Sequence, residues 1–299
     1  MSRVAQEYVK AFERGDDFAP PARGVLVDGQ PDAAALAVLG GALEVGSPQV
    51  RDNVVKLLVE IGRAVDPLTA KGADVLRDPT LIALLAGPGL AKPDLGRETA
   101  MEFLRKLVPP AQLAPVAASL VRTLAAGPTE EALLLVAKAK PAAARAVVER
   151  LMKEPRWQNL RTSRIALAAL GSRSDEDALL AAADAATTGT ALADAVGPLG
   201  LMGTPRSLKK LGELLRTPLT VDVSGHMPGR SVKSVRLDVL KALLYNFPEQ
   251  PALYPNNINE DRDYRTAEQF CAAALGILYK DPPPPYLKYG NAPPEPVPR

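Results

Sequence analysis

The chain has very few of the residues on which redox and metal chemistry depend. It contains one cysteine, Cys271, and one histidine, His226. A single cysteine excludes a disulfide within the chain, which fits a reducing compartment. A metal site built from several histidines and cysteines is excluded as well, whereas sites built from carboxylates alone stay open. Cys271 lies in an apolar helical stretch, so we expect a buried, inert thiol.

Aromatic residues and long apolar runs are also scarce. Aromatics make up 4% of the chain, although hydrophobic residues reach 47%. Alanine, leucine and valine must therefore build the core, and this composition favours helices over sheets. No run approaches the roughly 20 apolar residues of a membrane span. Because Glu7, Lys10 and Glu13 interrupt any signal-peptide core, we expect a soluble, cytoplasmic protein.

Neither the charge nor the motifs point to a reaction. There are 36 basic and 34 acidic residues, a net charge of +2, so the chain as a whole has no attraction to nucleic acid or to an anionic membrane. The glycine-rich phosphate loops, the zinc-protease motif and the GxSxG nucleophile turn are all absent. We therefore predict no catalytic residue, no metal and no cofactor.

A recurrent helical pattern, punctuated by glycine and proline, occupies most of the chain. In the clearest example the apolar residues share one helix face: Val50, Val54, Leu57, Leu58 and Ile61. Ser47 is placed to cap the start of this helix, with Pro48 at its first position, and Gly62 is placed to end it.

Similar segments follow along the rest of the chain. They predict at least eight short antiparallel helices, among them 97–108, 112–126, 129–139, 142–152, 161–170, 175–186, 191–196 and 205–215. Gly197-Pro198 is expected to end one helix and Ser231 to open another. Val4, Tyr8, Val9 and Phe12 predict an N-terminal capping helix, and 264–279 predicts the last helix.

The segment from Ser47 to Gly62 resembles the second helix of a HEAT repeat, including the short bacterial form of that family. Weaker similarities lie at 164–171 and 234–243, and 200–205 resembles a repeat junction. The resemblance covers about residues 32–246. It implies an all-α protein, an α-solenoid (superhelix) of stacked antiparallel HEAT-like helix pairs.

This resemblance also implies how the rest of the chain is organised. Residues 1–31 would form an N-terminal capping helix and linker, 247–280 an irregular loop and terminal helix, and 281–299 a proline-rich tail. In the family, arginines near the starts of matching helices tie neighbouring repeats together. Arg51, Arg164 and Arg236 hold such positions. We expect them to bind loop carbonyls or acidic side chains rather than a ligand.

Two regions are candidates for contact with a partner. The irregular C-terminal third offers Asp222, His226, Arg230, Tyr254, Tyr286 and Tyr289, although a solvated connector and a passive tail would also explain these loops. A basic patch contains Arg145, Arg150, Lys153, Arg156, Trp157 and Arg161. It could hold nucleic acid through phosphate contacts and stacking, or it is a solvated helix face with Trp157 packed at a corner between helices.

Together these features favour a non-catalytic adaptor or scaffold that binds another protein, whose identity the sequence leaves open. Nucleic acid is disfavoured as a partner. The HEAT-like resemblance leaves two alternatives: a nucleic-acid-binding protein of the DNA glycosylase type, and a lyase that handles a cofactor or chromophore. Repeat folds host many functions, so the resemblance alone does not choose among them.

Overall fold

The protein is all-α in the computed structural model, which describes residues 2–16, 22–65, 76–222, 231–247, 260–280 and 290–291. Its internal contacts divide it into two compact units, Met1–Leu170 and Gly171–Arg299. Within the described residues, every helix is too short or too polar to cross a lipid bilayer.

Helices of the first unit pack as consecutive pairs. They are α1 (Ser2–Glu13), α2 (Ala33–Val45), α3 (Pro48–Val65), α4 (Pro79–Ala86), α5 (Leu95–Leu107), α6 (Pro110–Leu113), α7 (Ala117–Ala126), α8 (Glu130–Ala139), α9 (Ala144–Leu151), α10 (Pro155–Gln158) and α11 (Arg161–Ala169). α2 contacts α3, α4 contacts α5, α7 contacts α8, and α9 contacts α11. The second members, α3, α5, α8 and α11, also contact one another in succession.

Short elements connect some of these helices. The strands β1 (Leu26–Val27) and β2 (Gln30–Pro31) form a tight hairpin just before α2. Its turn residues Asp28 and Gly29 have φ angles of 51° and 77°, the left-handed conformation that a two-residue hairpin turn requires.

Local capping explains where many helices begin. Asp32 accepts a hydrogen bond from the amide of Ala35 at 2.8 Å, and Thr129 accepts one from Ala132 at 3.1 Å. The predicted cap of α3 is confirmed, since Ser47 Oγ accepts from the amide of Val50 at 3.3 Å. Each such bond satisfies an amide that the first helical turn would otherwise leave unpaired.

The first unit has one continuous apolar core, to which α1 contributes. Leu39, Leu58 and Ile61 are fully buried there. Ala5 and Phe12 of α1 are buried in the same core, and α1 contacts both α2 and α3. The predicted N-terminal helix is therefore confirmed, and it covers apolar surface that the first helix pair would otherwise expose.

The second unit combines helices with one small sheet. Its elements are α12 (Arg173–Asp184), α13 (Gly189–Met202), α14 (Pro205–Leu214), β3 (Thr220–Asp222), β4 (Ser231–Ser234), α15 (Val235–Asn246), α16 (Glu260–Leu275) and β5 (Gly290–Asn291). α13 contacts α12, α14 and α15, while α14 also contacts α15 and α16. The strands are antiparallel in the order β3-β4-β5. The extended conformation predicted around Val221 is confirmed by its pairing with Lys233.

Two of the predicted helix ends are wrong. Gly62 does not end α3, which runs on to Val65. A Cβ at Gly62 would lie 2.0 Å from Leu76 Cδ1, so this glycine serves close packing. α13 likewise continues through Gly197-Pro198, and it ends at Gly203, whose φ is 52°.

Two predicted segments also change type. Ser231 does not begin a helix, because the strand β4 (residues 231–234) pairs with β3. Ser234 is the N-cap of α15 instead, and its hydroxyl accepts a hydrogen bond from the amide of Arg236 at 3.3 Å. The single helix predicted over 112–126 is divided into α6, a 3-10 turn at 114–116 and α7. Pro115 lies in that turn, where its missing N–H cannot support an α-helical bond.

Gly200 sets how closely α13 approaches α15. A Cβ at Gly200 would lie 2.7 Å from Ala242 Cβ and 3.0 Å from Ala242 Cα. Because backbone atoms cannot move aside cheaply, we expect Gly200→Ala to lower the free energy of unfolding by about 1–3 kcal/mol. Gly41→Ala is the matched control, since a Cβ there meets nothing within 4 Å; it should stabilise by about 0.5–1 kcal/mol. Urea unfolding followed by circular dichroism measures both, and equal effects would contradict the packing argument.

Candidate functional site

Arg51 is a buried structural cation between α3 and α5. Its side chain is 0% exposed, and its Nε donates to Asp94 Oδ2 at 2.5 Å. Its Nη2 donates to the carbonyls of Pro88 at 3.2 Å and Gly89 at 3.3 Å. Asp94 also caps α5, because its Oδ1 accepts from the amide of Arg97 at 3.0 Å. The structural role predicted for Arg51 is confirmed.

Arg97 continues this bonding from α5 to α7, and the sequence interpretation missed it. Its Nη2 donates to the carbonyl of Thr123 at 3.0 Å and to that of Gly127 at 2.6 Å, where α7 ends. Burial lowers the pKa of Arg97, although Asp94 and Glu98 oppose that shift. Its place near the start of α5, like that of Arg51 in α3, is the signal that would have found it.

The other two predicted arginines have opposite outcomes. Arg236 is 2% exposed, its Nε donates to the carbonyl of Leu215 at 2.8 Å, and its guanidinium lies 4.4 Å from the centre of the Tyr264 ring. Its structural role is confirmed. The same prediction for Arg164 is wrong: this residue is exposed, whereas its neighbours Ser163 and Ile165 are buried, so its position on α11 turns outward.

Lys138 is a further buried cation, in the last turn of α8. It is 4% exposed, and its Nζ donates to the carbonyl of Arg105, near the end of α5. Burial, and secondarily the charge of Arg105, lowers the pKa of Lys138 to about 7. Arg105 itself forms an ion pair with Glu131 of α8. These contacts join α5 to α8, so the buried cations serve the framework.

The predicted basic patch lies where α9, α10 and α11 follow one another. We call its exposed cations the basic corner: Arg145, Arg150, Lys153, Arg156, Arg161 and Arg164. Trp157 is not exposed with them, since only 2% of it is accessible and it packs in the apolar core. The guanidinium of Arg156 lies over its ring, 4.7 Å from the ring centre. Trp157 therefore fixes the corner and offers no free face for a nucleic-acid base.

Elsewhere the surface carries paired charges of both signs. Lys56 binds Asp52 at 2.8 Å, one turn apart on α3. In the second unit, Arg206 of α14 binds both Glu176 at 2.7 Å and Asp177 at 2.6 Å on α12. Burial alone would raise the pKa of Glu176, but hydrogen bonds from Thr204 and Arg206 outweigh it and the pKa is lowered. Such mixed surfaces have no net attraction to a polyanion.

An open cleft of about 450 Å³ lies between β2, α2 and α4. Pro31, Leu36 and Leu84 supply apolar lining, and Asp78 is the one ionisable side chain among the lining residues. Asp78 Oδ1 already caps α4, accepting from the amides of Thr80 and Leu81, each at 2.9 Å. The cleft thus offers apolar contact area and no acid–base pair for catalysis.

Few of the predicted C-terminal contact residues can be placed. Asp222 is exposed at the end of β3, whereas five others lie outside the described residues: His226, Arg230, Tyr254, Tyr286 and Tyr289. Cys271 is fully buried, as expected, and burial raises the pKa of its thiol. The described ranges contain no group of three or more side chains suited to hold a metal ion.

Comparison with known proteins adds no family. Neither models of protein families, nor functionally characterised proteins, nor solved structures match this chain. What the protein does must therefore be inferred from its own residues.

Removing Arg51 should destabilise the first unit strongly. Arg51→Met leaves the Asp94 carboxylate, whose side chain is only 10% exposed, without its cation. We expect the free energy of unfolding to fall by about 3–5 kcal/mol. Arg51→Lys should have a stability between those of the wild type and Arg51→Met, because an ammonium group keeps the charge but cannot form the two-pronged hydrogen bonds of a guanidinium. Arg164→Met, at an exposed site, should change the free energy of unfolding by less than about 0.5 kcal/mol. Urea unfolding of the three variants tests this; similar losses for Arg51→Met and Arg164→Met would refute the assigned roles.

Lys138 should make stability rise with pH above neutrality. Its pKa is about 7 when folded and 10.5 as the ordinary value, so between these limits the unfolded chain holds a proton that the folded chain lacks. The free energy of unfolding then increases with pH, by at most about 1.4 kcal/mol per unit. Lys138→Met should remove this slope, while Lys209→Met, at an exposed site, should keep it. Unfolding curves at a series of pH values from neutral to mildly alkaline measure the slope; parallel profiles for wild type and Lys138→Met would rule the assignment out.

Proposed function

We propose that this chain is a non-catalytic scaffold that binds another protein, and that its helix pairs stack as an α-solenoid of HEAT-like repeats. The order of contacts supports the stacking. In the first unit α2 with α3, α4 with α5 and α7 with α8 are consecutive pairs, and the helices α3, α5, α8 and α11 contact one another in succession. In the second unit α13 and α15 contact each other, and each contacts α14. Stacked pairs present long surfaces suited to binding.

The observation that carries the proposal is how the chain uses its polar side chains. Arg51, Arg97, Lys138 and Arg236 are buried, and each binds backbone carbonyls of a neighbouring element. These groups hold helices in place and are closed to a substrate. The exposed charges, by contrast, are of both signs, and some of them are paired, a surface that suits a protein partner better than a polyanion.

The partner site that we propose lies in the C-terminal third of the chain. Asp222 is exposed at the end of β3, where the chain leaves the sheet. His226, Arg230, Tyr254, Tyr286 and Tyr289 complete the proposed contact set, because tyrosine and arginine are common anchors in protein interfaces.

Nucleic acid is the second candidate, and the basic corner is what favours it. Six exposed cations lie there within residues 145–164. Against it stands Trp157, which is buried under Arg156 and is closed to base stacking. We therefore rank protein binding first.

Affinity capture from extracts of the native host tests the function. The immobilised chain should retain a defined protein that survives nuclease treatment. Two variants locate the site: Tyr254→Ala/Tyr286→Ala/Tyr289→Ala, which removes the proposed tyrosine anchors, and replacement of 223–230 by a Gly/Ser linker, which removes His226 and Arg230 but keeps β3 and β4. We expect at least one of them to lose the partner while its circular dichroism spectrum stays unchanged. If both variants retained the partner fully, the site would lie elsewhere. If capture disappeared after nuclease treatment and the chain bound random duplex DNA in a salt-sensitive way, the protein would be reassigned as a nucleic-acid-binding protein.

A further inference from the structure

We propose that the basic corner binds an acidic segment of a protein partner. This inference rests on the proposed scaffold function and names the chemistry of a partner for one surface of it. The corner was defined by its exposed cations on α9, α10 and α11, and no catalytic or cofactor role competes for them.

Charge is concentrated at this corner far beyond the rest of the chain. Residues 145–164 contain six exposed cations and two exposed carboxylates, Glu149 and Glu154, a net charge of 6 − 2 = +4. The whole chain carries +2, so everything outside these twenty residues sums to 2 − 4 = −2. A local excess of one sign on a nearly neutral chain produces a directed field.

Most of this charge is not neutralised within the protein. Arg145 pairs with Glu149 at 2.8 Å. Arg150, Lys153 and Arg164 form no ion pair with any residue in the described part of the chain. Some exposed cations on other helices are neutralised, as in the pair of Lys56 with Asp52. Three uncompensated cations at one corner leave room for carboxylates from outside.

The corner is also held in a fixed shape. α9 contacts α11, and the residues between them include the short helix α10 with the buried Trp157. The guanidinium of Arg156 makes a cation–π contact with Trp157, 4.7 Å from the centre of the ring. A surface that is already ordered loses little conformational entropy when a partner binds.

An acidic protein segment fits this corner better than nucleic acid does. Nucleic-acid affinity grows with the number of phosphates neutralised and with base stacking. Here the unpaired cations are few and the aromatic ring is buried. The exposed carboxylates Glu149 and Glu154 stand among the cations, and they would repel a continuous row of phosphates. A short peptide can instead place its carboxylates at separate points.

Fluorescence anisotropy with a labelled octaglutamate peptide tests the proposal on the full chain. Octaglutamine is the neutral probe, and a short random-sequence DNA duplex is the competing polyanion. The test variant is Arg150→Glu/Lys153→Glu/Arg164→Glu. The matched control is Lys10→Glu/Lys209→Glu/Lys241→Glu, which changes the net charge equally at exposed sites elsewhere. We expect the test variant to weaken octaglutamate binding at least about tenfold, and the control less than about threefold. Octaglutamine should not bind.

Three results would overturn the proposal. Equal weakening of octaglutamate binding by both triple variants would show a general charge effect. If octaglutamate did not bind the wild type, there would be no such site. If the duplex bound more tightly at the same residues, the site would be assigned to nucleic acid.

The scaffold function is tested separately, by affinity capture. If the test variant still captures the native partner fully, the acidic-segment site is wrong and the scaffold function stands. If the wild type captures no protein, the scaffold function itself is wrong, whether or not octaglutamate binds.

Discussion

The carboxylate of Asp94 joins two helix pairs of the first unit through its two oxygens. One accepts the amide of Arg97 and so begins α5; the other accepts the guanidinium of Arg51 on α3, at 2.5 Å. Arg97 then reaches the carbonyls of Thr123 and Gly127 at the end of α7. Apolar contacts between alanine and leucine side chains would be similar in several alignments of neighbouring helices. These directional hydrogen bonds, by contrast, are satisfied in only one alignment.

This arrangement separates cations into two classes with different environments. Arg51 and Lys138 are almost fully buried and bind main-chain oxygen atoms, so their energetic role is to satisfy carbonyls that helix ends leave unpaired. Arg150 and Arg164 are in water and are free of such bonds. Their role concerns the electrostatic potential outside the molecule. A nearly neutral chain can thus hold both a cationic framework and a locally positive surface.

Local sequence signals were sufficient to predict where a helix begins, but not to predict features that depend on packing against distant residues. Ser47 was recognised as a cap because a cap acts on an amide only three residues away. Gly62 was misread because Leu76, which lies beyond the end of α3, packs closely against it. The cations of the basic corner could be recognised from composition, but the burial of Trp157 and the exposure of Arg164 depend on which side of each helix meets a neighbour.

The small sheet of the second unit has a consequence for the order in which the chain folds. β5 pairs Gly290 with Val232 and Asn291 with Ser231, so the sheet joins residues separated by the whole of α15 and α16. The strands β3 and β4 are close in sequence, whereas β5 is synthesised only after α15 and α16. The first unit needs nothing from that end of the chain for its own core. Synthesis therefore produces a finished first unit while the second still waits for its outermost strand.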